Sequence, residues 1–185
     1  MSFGKGFSPH SDWVREAIAY AAKKDVLIVA AAGNNSENTD EKQYYPNDQV
    51  GTGAEVSDTF IKVGSSTNIH SSEIVSGFSN YGKITVDLFS PGSRIYSTTP
   101  ENEYRFLQGT SMASPLVAGV AALVMSQYPK LSAAEVKEVL MNSGLPLDLE
   151  INLGEDSVVP FSGLSKSGKL VNAYNALIMA SRVSK

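Results

Sequence analysis

Three observations predict an α/β fold. Val26 to Ala32 is a continuous apolar run rich in β-branched residues, the composition of a strand buried on both faces of a parallel sheet. Upstream of it, Trp13, Val14, Ala17, Ile18, Ala21 and Ala22 recur at helical spacing. Downstream, every residue from Leu116 to Met125 is apolar or glycine and follows a polar turn, the pattern of a helix entering a core.

The remaining elements follow in order. Ser8-Pro9 offers an N-cap with proline at the first helical position, opening a helix that runs through about Lys24. The strand from Val26 ends in Gly33-Asn34-Asn35-Ser36, a turn signal. Asn38 to Glu55, with Gly51 and Gly53, reads as a surface loop. Phe60 to Val63 and Ile84 to Leu88 are short strand candidates, Ser90-Pro91-Gly92 is a turn, and Arg94 to Thr98 alternates weakly. The helix holding Ser111 runs to about Tyr128 and stops before Pro129. Ser132-Ala133-Ala134-Glu135 is a capping box for a helix carrying Val136, Val139 and Leu140. Leu145 to Ser167 reads as loop, and Val171 to Ala180 as a last helix. With no internal repeat or linker, residues 1–185 read as a single unit.

Composition narrows the function. A chain of 185 residues, 42% apolar and 18% charged, suits one soluble globular domain. A net charge of −4 without a basic block argues against nucleic acid as a partner. The absence of cysteine excludes a disulfide framework and a thiolate metal site. No wholly apolar stretch approaches the roughly 18 residues of a membrane span, so no membrane partner is expected. Met1-Ser2-Phe3-Gly4-Lys5-Gly6 has no signal-peptide pattern.

Ser111 is the leading chemical candidate. It lies where the helix begins, and there the unpaired N–H groups and the positive end of the helix dipole favour negative charge. A hydroxyl attacking a carbonyl at that point generates an oxyanion with donors already in place. Asn34, at the carboxyl end of the buried strand, can aim a side-chain amide at the same oxyanion. Each residue also has a plain structural role, Ser111 as a helix cap and Asn34 as a turn former. A serine nucleophile needs a proton acceptor, usually histidine. The chain has two, His10 and His70, and no motif surrounds either. No histidine pair has metal-ligand spacing.

Gly109-Thr110-Ser111-Met112-Ala113-Ser114-Pro115-Leu116-Val117-Ala118-Gly119 resembles the nucleophile motif of the subtilisin-like serine proteases, the subtilases. Ala31-Ala32-Gly33-Asn34 resembles that family's oxyanion-hole strand end. Phe78-Ser79-Asn80-Tyr81-Gly82, Asp87-Leu88-Phe89-Ser90-Pro91-Gly92 and Gly168-Lys169-Leu170-Val171-Asn172-Ala173 follow in the family's order, and Met1-Ser2-Phe3-Gly4 resembles the strand edging its substrate cleft. The resemblance implies a three-layer fold, a mainly parallel sheet between helices, of which this chain is the C-terminal part of a peptidase domain. It implies a serine endopeptidase acting through an acyl-enzyme, with Ser111 as nucleophile and Asn34 and the Ser111 N–H as oxyanion donors. Ser2, Phe3 and Gly4 would pair with extended substrate backbone. Ala31, Ala32 and Gly33 would form a wall of the specificity pocket, their small size leaving room for a large apolar side chain.

Two departures accompany the resemblance. Leu116 stands where the family often has a noncatalytic histidine. More importantly, the family's catalytic Asp and His precede the segment matched here, and neither His10 nor His70 has the matching context. The expectation is therefore an isolated chain without peptidase activity, or else a noncatalytic subtilase-like module that binds peptides or a partner. A sheet face or edge left bare would favour a homodimer. By resemblance, the parent protein would be extracellular or in the cell envelope, with no cofactor beyond a structural calcium for which the sequence shows no site.

Overall fold

The computed structural model describes residues 1–50, 53–154 and 157–184. Gly51 of the expected surface loop, and Glu155 and Asp156 of the later one, lie outside the described residues. The elements are α1 (Ser11–Ala22), β1 (Ile28–Ala31), β2 (Phe60–Ser66), β3 (Leu88–Pro91), β4 (Ile95–Thr99), β5 (Glu103–Leu107), α2 (Thr110–Gln127), α3 (Ala133–Ser143), β6 (Leu145–Pro146), β7 (Glu150–Asn152), β8 (Val158–Pro160), β9 (Lys169–Leu170) and α4 (Ala173–Val183).

Five strands form one sheet in the order β1-β2-β3-β9-β6, parallel except where β6 meets β9. Side-chain alternation along the strands divides the core into layers. Val29, Ile61, Val63 and Leu88 face α2, α3 and α4, meeting Val117, Val120, Val124, Val136, Leu140 and Ala180. Ala30 and Phe60 face the other way, where Ile18 of α1 packs on them. Helices on both faces of a mainly parallel sheet are the three-layer α/β arrangement the sequence predicts.

Helix α2 has 18 residues and a mean hydropathy of 1.3, enough by length and composition to cross a membrane. Its buried positions, from Ala113 through Val117, Val120 and Ala121 to Val124, instead lie at helical spacing against the sheet. Helix α3 forms with its capping box intact: Glu135 N–H donates to Ser132 Oγ at 3.3 Å, and Ser132 N–H to Glu135 Oε2 at 2.8 Å.

Several boundaries differ from the sequence expectations. Helix α1 starts two residues beyond Pro9, with His10 rather than Ser8 at its N-cap. The strand expected over Ile84–Leu88 begins only at Leu88 and runs through Ser90 and Pro91, which the sequence assigns to a turn. The N–H groups ahead of it are engaged elsewhere: the Asp40 carboxylate accepts from Ile84 and Thr85, and the Val86 N–H turns back to the Gly82 carbonyl. Helix α4 starts at Ala173, capped by Asn172. The stretch from Leu145 to Ser167 holds β6 and the β7–β8 hairpin as well as loop. Strand β5 is absent from the sequence expectations altogether.

Candidate active site

The chain brings three distant segments together at the N-terminus of α2. Gly109, its N-cap, has φ +144° and ψ 161°, a conformation open in practice only to glycine. Thr110 follows, 1% exposed, and Ser111 is half-buried as the second helical residue. Its hydroxyl donates to the Ser2 carbonyl oxygen at 2.9 Å. The Met1 carbonyl in turn accepts from Ala31 N–H at 3.0 Å, which ties this amino-terminal segment to the outer edge of β1.

Asn34 lies just past β1 and reaches the same helix end. Its Oδ1 accepts from the Thr110 N–H and from Thr110 Oγ1, both at 2.9 Å. A backbone N–H can only donate, so the bonded atom is the amide oxygen and Nδ2 is the outward group. Thr110 Oγ1 also accepts from Gly33 N–H at 3.1 Å, locking the strand end to the helix start. Among the described residues, neither Asn34 Nδ2 nor the Ser111 N–H has a hydrogen-bond acceptor. Two free donors therefore stand beside a serine hydroxyl at the positive end of a long helix dipole.

Asn80, fully buried, shapes the turn that carries Asn34. Its Nδ2 donates to the Ala32 carbonyl at 2.9 Å, and its Oδ1 accepts from the N–H groups of Asn35 at 2.9 Å and Glu37 at 3.1 Å. Its own N–H donates to the Gly33 carbonyl at 3.0 Å. Residues on either side of Asn34 are thus fixed by one amide. The sequence reading assigns Asn80 no role, because the contacts span more than forty residues.

Of the other expected site residues, Ser2, Phe3 and Gly4 are exposed along the site's margin. Ala31 and Ala32 are buried, and Gly33, at φ +106°, borders the aromatic ring of Tyr44. Neither histidine reaches Ser111. His10 stacks on Trp13 with ring centroids 4.3 Å apart, and His70 is exposed in a loop.

A second cluster of ionisable groups lies beneath the loop that carries Tyr44. Lys62 of β2 is 1% exposed, and its Nζ donates to the Tyr44 carbonyl at 2.6 Å. Burial pushes this ammonium down to about 8, against the attraction of Asp48, Asp87 and Asp40. Burial raises Asp87 to about 6, opposed by Lys137 and by the Lys62 N–H bonded to its Oδ2 at 2.7 Å. Lys137 and Lys166 each lie 3.6 Å from Asp87 Oδ1, and both also pair with Glu55. Burial raises Asp48 as well. A lysine among the apolar residues of the expected Phe60–Val63 strand was the available sequence signal.

A structural calcium finds no fitting donor set in Asp40, Glu41 and Asp48. Asp40 accepts from Ile84, Thr85 N–H and Thr85 Oγ1, Glu41 accepts from Asn38, and Asp48 is buried among lysine charges. Among the described residues no cluster of three or more histidine or carboxylate side chains could hold a metal ion.

Helices flanking a parallel sheet, with a helix-terminal serine against a strand-end asparagine, define an α/β protein of the subtilisin type. The pattern of the subtilase family matches residues 1–168, and the chain belongs to that family. It is 37% identical over 134 residues to subtilisin DY of Bacillus licheniformis, covering 72% of this chain and 45% of the relative. It is 38% identical over 143 residues to the major intracellular serine protease of Bacillus subtilis, covering 74% and 41%. Among solved structures, a cold-adapted subtilisin-like serine proteinase superposes with TM-score 0.69 at 31% identity, over 94% of this chain and 53% of that one. The prenylagaramide maturation protease PagA superposes with TM-score 0.72 at 26% identity, over 96% and 60%. The chain thus spans under half the length of these two curated relatives.

Proposed function

We propose that the chain carries the nucleophile and oxyanion hole of a serine endopeptidase whose base and orienting acid lie outside these 185 residues. The observation that carries this is the geometry at α2: the Ser111 hydroxyl stands beside two unengaged donors, Asn34 Nδ2 and its own N–H. A peptide backbone lying along the exposed Ser2–Gly4 segment would bring its carbonyl carbon to Ser111 Oγ, a form of strand addition. Attack, with the Ser111 hydroxyl proton passing to the base, would place the oxyanion between the two donors; collapse, with that proton delivered to the scissile nitrogen, would expel the amine and leave an acyl-enzyme on Ser111. An amide carbonyl does not remove a proton, so the bond to Ser2 leaves the hydroxyl unactivated. Without base and acid, only a residual rate, roughly 10³–10⁴ over water, survives in a triad enzyme.

Labelling with a serine-reactive fluorophosphonate tests the proposal, applied to this chain and to the chain joined to its upstream coding sequence, each with Ser111→Ala as control. Labelling confined to the longer protein is the expected outcome. Labelling of neither overturns the enzymatic role. It favours the second reading, a noncatalytic peptide-binding module, for which the Ser111–Ser2 bond is the supporting observation. Labelling of the short chain at Ser111 would implicate His10 or His70 as base.

The same proposal covers the setting. We treat residues 1–185 as one part of one peptidase domain acting on peptide or protein, with no nucleic acid or membrane partner. An extracellular setting is part of it, although the Bacillus subtilis relative is named an intracellular protease. Helix α1 buries only Ile18, leaving Trp13 64% exposed with Val14 and Tyr20 beside it. That apolar surface is where a homodimer would form. Sedimentation showing a monomer at every concentration would rule the dimer out.

A further inference from the structure

Strand β2 has one charged side chain, and the sheet sends it inward. Ile61 and Val63 face α2, α3 and α4, so Lys62 points to the opposite side with Phe60. There it is 1% exposed, its Nζ donates to the Tyr44 carbonyl at 2.6 Å, and Asp48, Asp87 and Asp40 attract it. A buried charge destabilises unless its surroundings compensate for it, and an apolar residue here would carry no such cost.

The compensation lies in the loop that follows Tyr44, which buries more oxygen than it has donors to satisfy. Asn47 Oδ1, Asp48 Oδ2 and Gln49 Oε1 are all buried with no hydrogen-bond donor among the described residues. Asp87 Oδ1 has none either, and only the ammonium charges of Lys137 and Lys166, each 3.6 Å away, face it. Carboxylate, amide and backbone oxygens gathered in one place are the donor set of a hard cation such as calcium. Here the positive charge is covalently attached. Lys62 holds the loop carbonyl, while Lys137 and Lys166 each pair with both Asp87 and Glu55. A divalent ion entering this cluster would meet three like charges with little water to screen them.

We propose that the Lys62 ammonium is a tethered replacement for a structural cation, neutralising the buried oxygens of the 44–49 loop, so that folding of this chain needs no calcium. The resemblance to the subtilases implies a structural calcium, and the oxygens best placed to hold one are already engaged by lysine. Nothing in this depends on the role of Ser111.

The test is urea unfolding of this chain and of Lys62→Ala in EDTA, in calcium chloride, and in ethylammonium or tetramethylammonium chloride at matched ionic strength. The unsubstituted chain should keep one midpoint in EDTA and in calcium. Lys62→Ala removes the ammonium and frees its space, so calcium or ethylammonium should raise its midpoint, and the bulky tetramethylammonium should not. At about 10 mM calcium, a site of millimolar affinity lowers the unfolding constant about tenfold. A midpoint of the unsubstituted chain that falls in EDTA or rises in calcium overturns the proposal, whether or not the variant folds. So does a Lys62→Ala whose stability neither cation raises. A Lys62→Ala that is unfolded in EDTA and folds on addition of either cation supports it.

Discussion

Thr110 aims two donors at one acceptor: its backbone N–H and its hydroxyl each lie 2.9 Å from Asn34 Oδ1. The consequence is directional. With both bonds on the oxygen, the amide plane cannot turn, and Nδ2 is held outward beside Ser111. Replacing Thr110 by valine keeps the shape, removes one of these bonds, and leaves the Gly33 N–H without its acceptor. A buried donor stripped of its partner costs about 1–3 kcal/mol. Thr110→Val should therefore lower the denaturation midpoint and shift the Asn34 side-chain amide resonances toward a mobile amide. Thr110→Ser should leave both close to the unsubstituted chain.

The companion prediction concerns Gly109. Its φ of +144° with ψ 161° belongs to a region that side chains avoid, and a Cβ there would lie 3.2 Å from Asn34 Nδ2. Gly109→Ala should cost about 1–3 kcal/mol of stability from backbone strain. In the longer protein it should also impair turnover, since it crowds a proposed oxyanion donor. Loss of such a donor costs about 10²–10³ in turnover in a subtilisin. Urea unfolding and fluorophosphonate labelling rates measure the two effects separately. An alanine variant as stable as its parent would show that the helix start does not need this conformation.

Asn80 supports the site without touching it. One amide makes three side-chain hydrogen bonds to the Ala32 carbonyl and to the N–H groups of Asn35 and Glu37, all within the turn that carries Asn34. Asn80→Ala leaves these backbone groups without that partner, and a loss of about 2–4 kcal/mol is expected. Amide exchange of Asn35 and Glu37 should accelerate more than exchange across β2. Uniform acceleration would mean that Asn80 stabilises the whole molecule rather than this turn.

What the sequence made legible was whatever depended on local pattern. The apolar run after Ser111 is α2, and the Ser132–Glu135 box forms as spaced. Ser111 and Asn34 stood out as candidates because a strand end and a helix start are local features that also carry the family resemblance, and in the structure Thr110 joins the two segments. What stayed hidden depended on contacts between distant segments or on unusual turn chemistry. Strand β5 pairs with β4 through a turn in which Glu101 and Asn102 take φ +67° and +60°, left-handed conformations usually marked by glycine. Its side chains are exposed throughout, with Tyr104 stacked on Tyr96 and Phe106 tilted against the same ring instead of entering the core. Tyr44 sits in a polar loop, and nothing nearby in sequence signals that its ring meets Gly4 and Gly33.

The buried charges under Tyr44 predict an unusual dependence of stability on pH. Asp87 is raised by burial from its ordinary 3.8 to about 6. A group whose pKa is higher in the folded state adds stability below its unfolded value, and that stability is lost as pH rises through about 6. Lys62 is lowered by burial from 10.5 to about 8. Its contribution is present above the unfolded value and lost as pH falls through about 8. From these two groups, the urea midpoint should fall between about pH 4 and 6, stay low to about pH 8, and rise above it. Each limb is bounded by about 1.4 kcal/mol per pH unit for one proton. Lys62→Met should flatten the rise above pH 8, and Asp87→Asn should flatten the fall below pH 6 while keeping an acceptor for the Lys62 N–H. Variants with the same slopes as the unsubstituted chain would show that the buried charges are matched well enough to cancel the cost of desolvation.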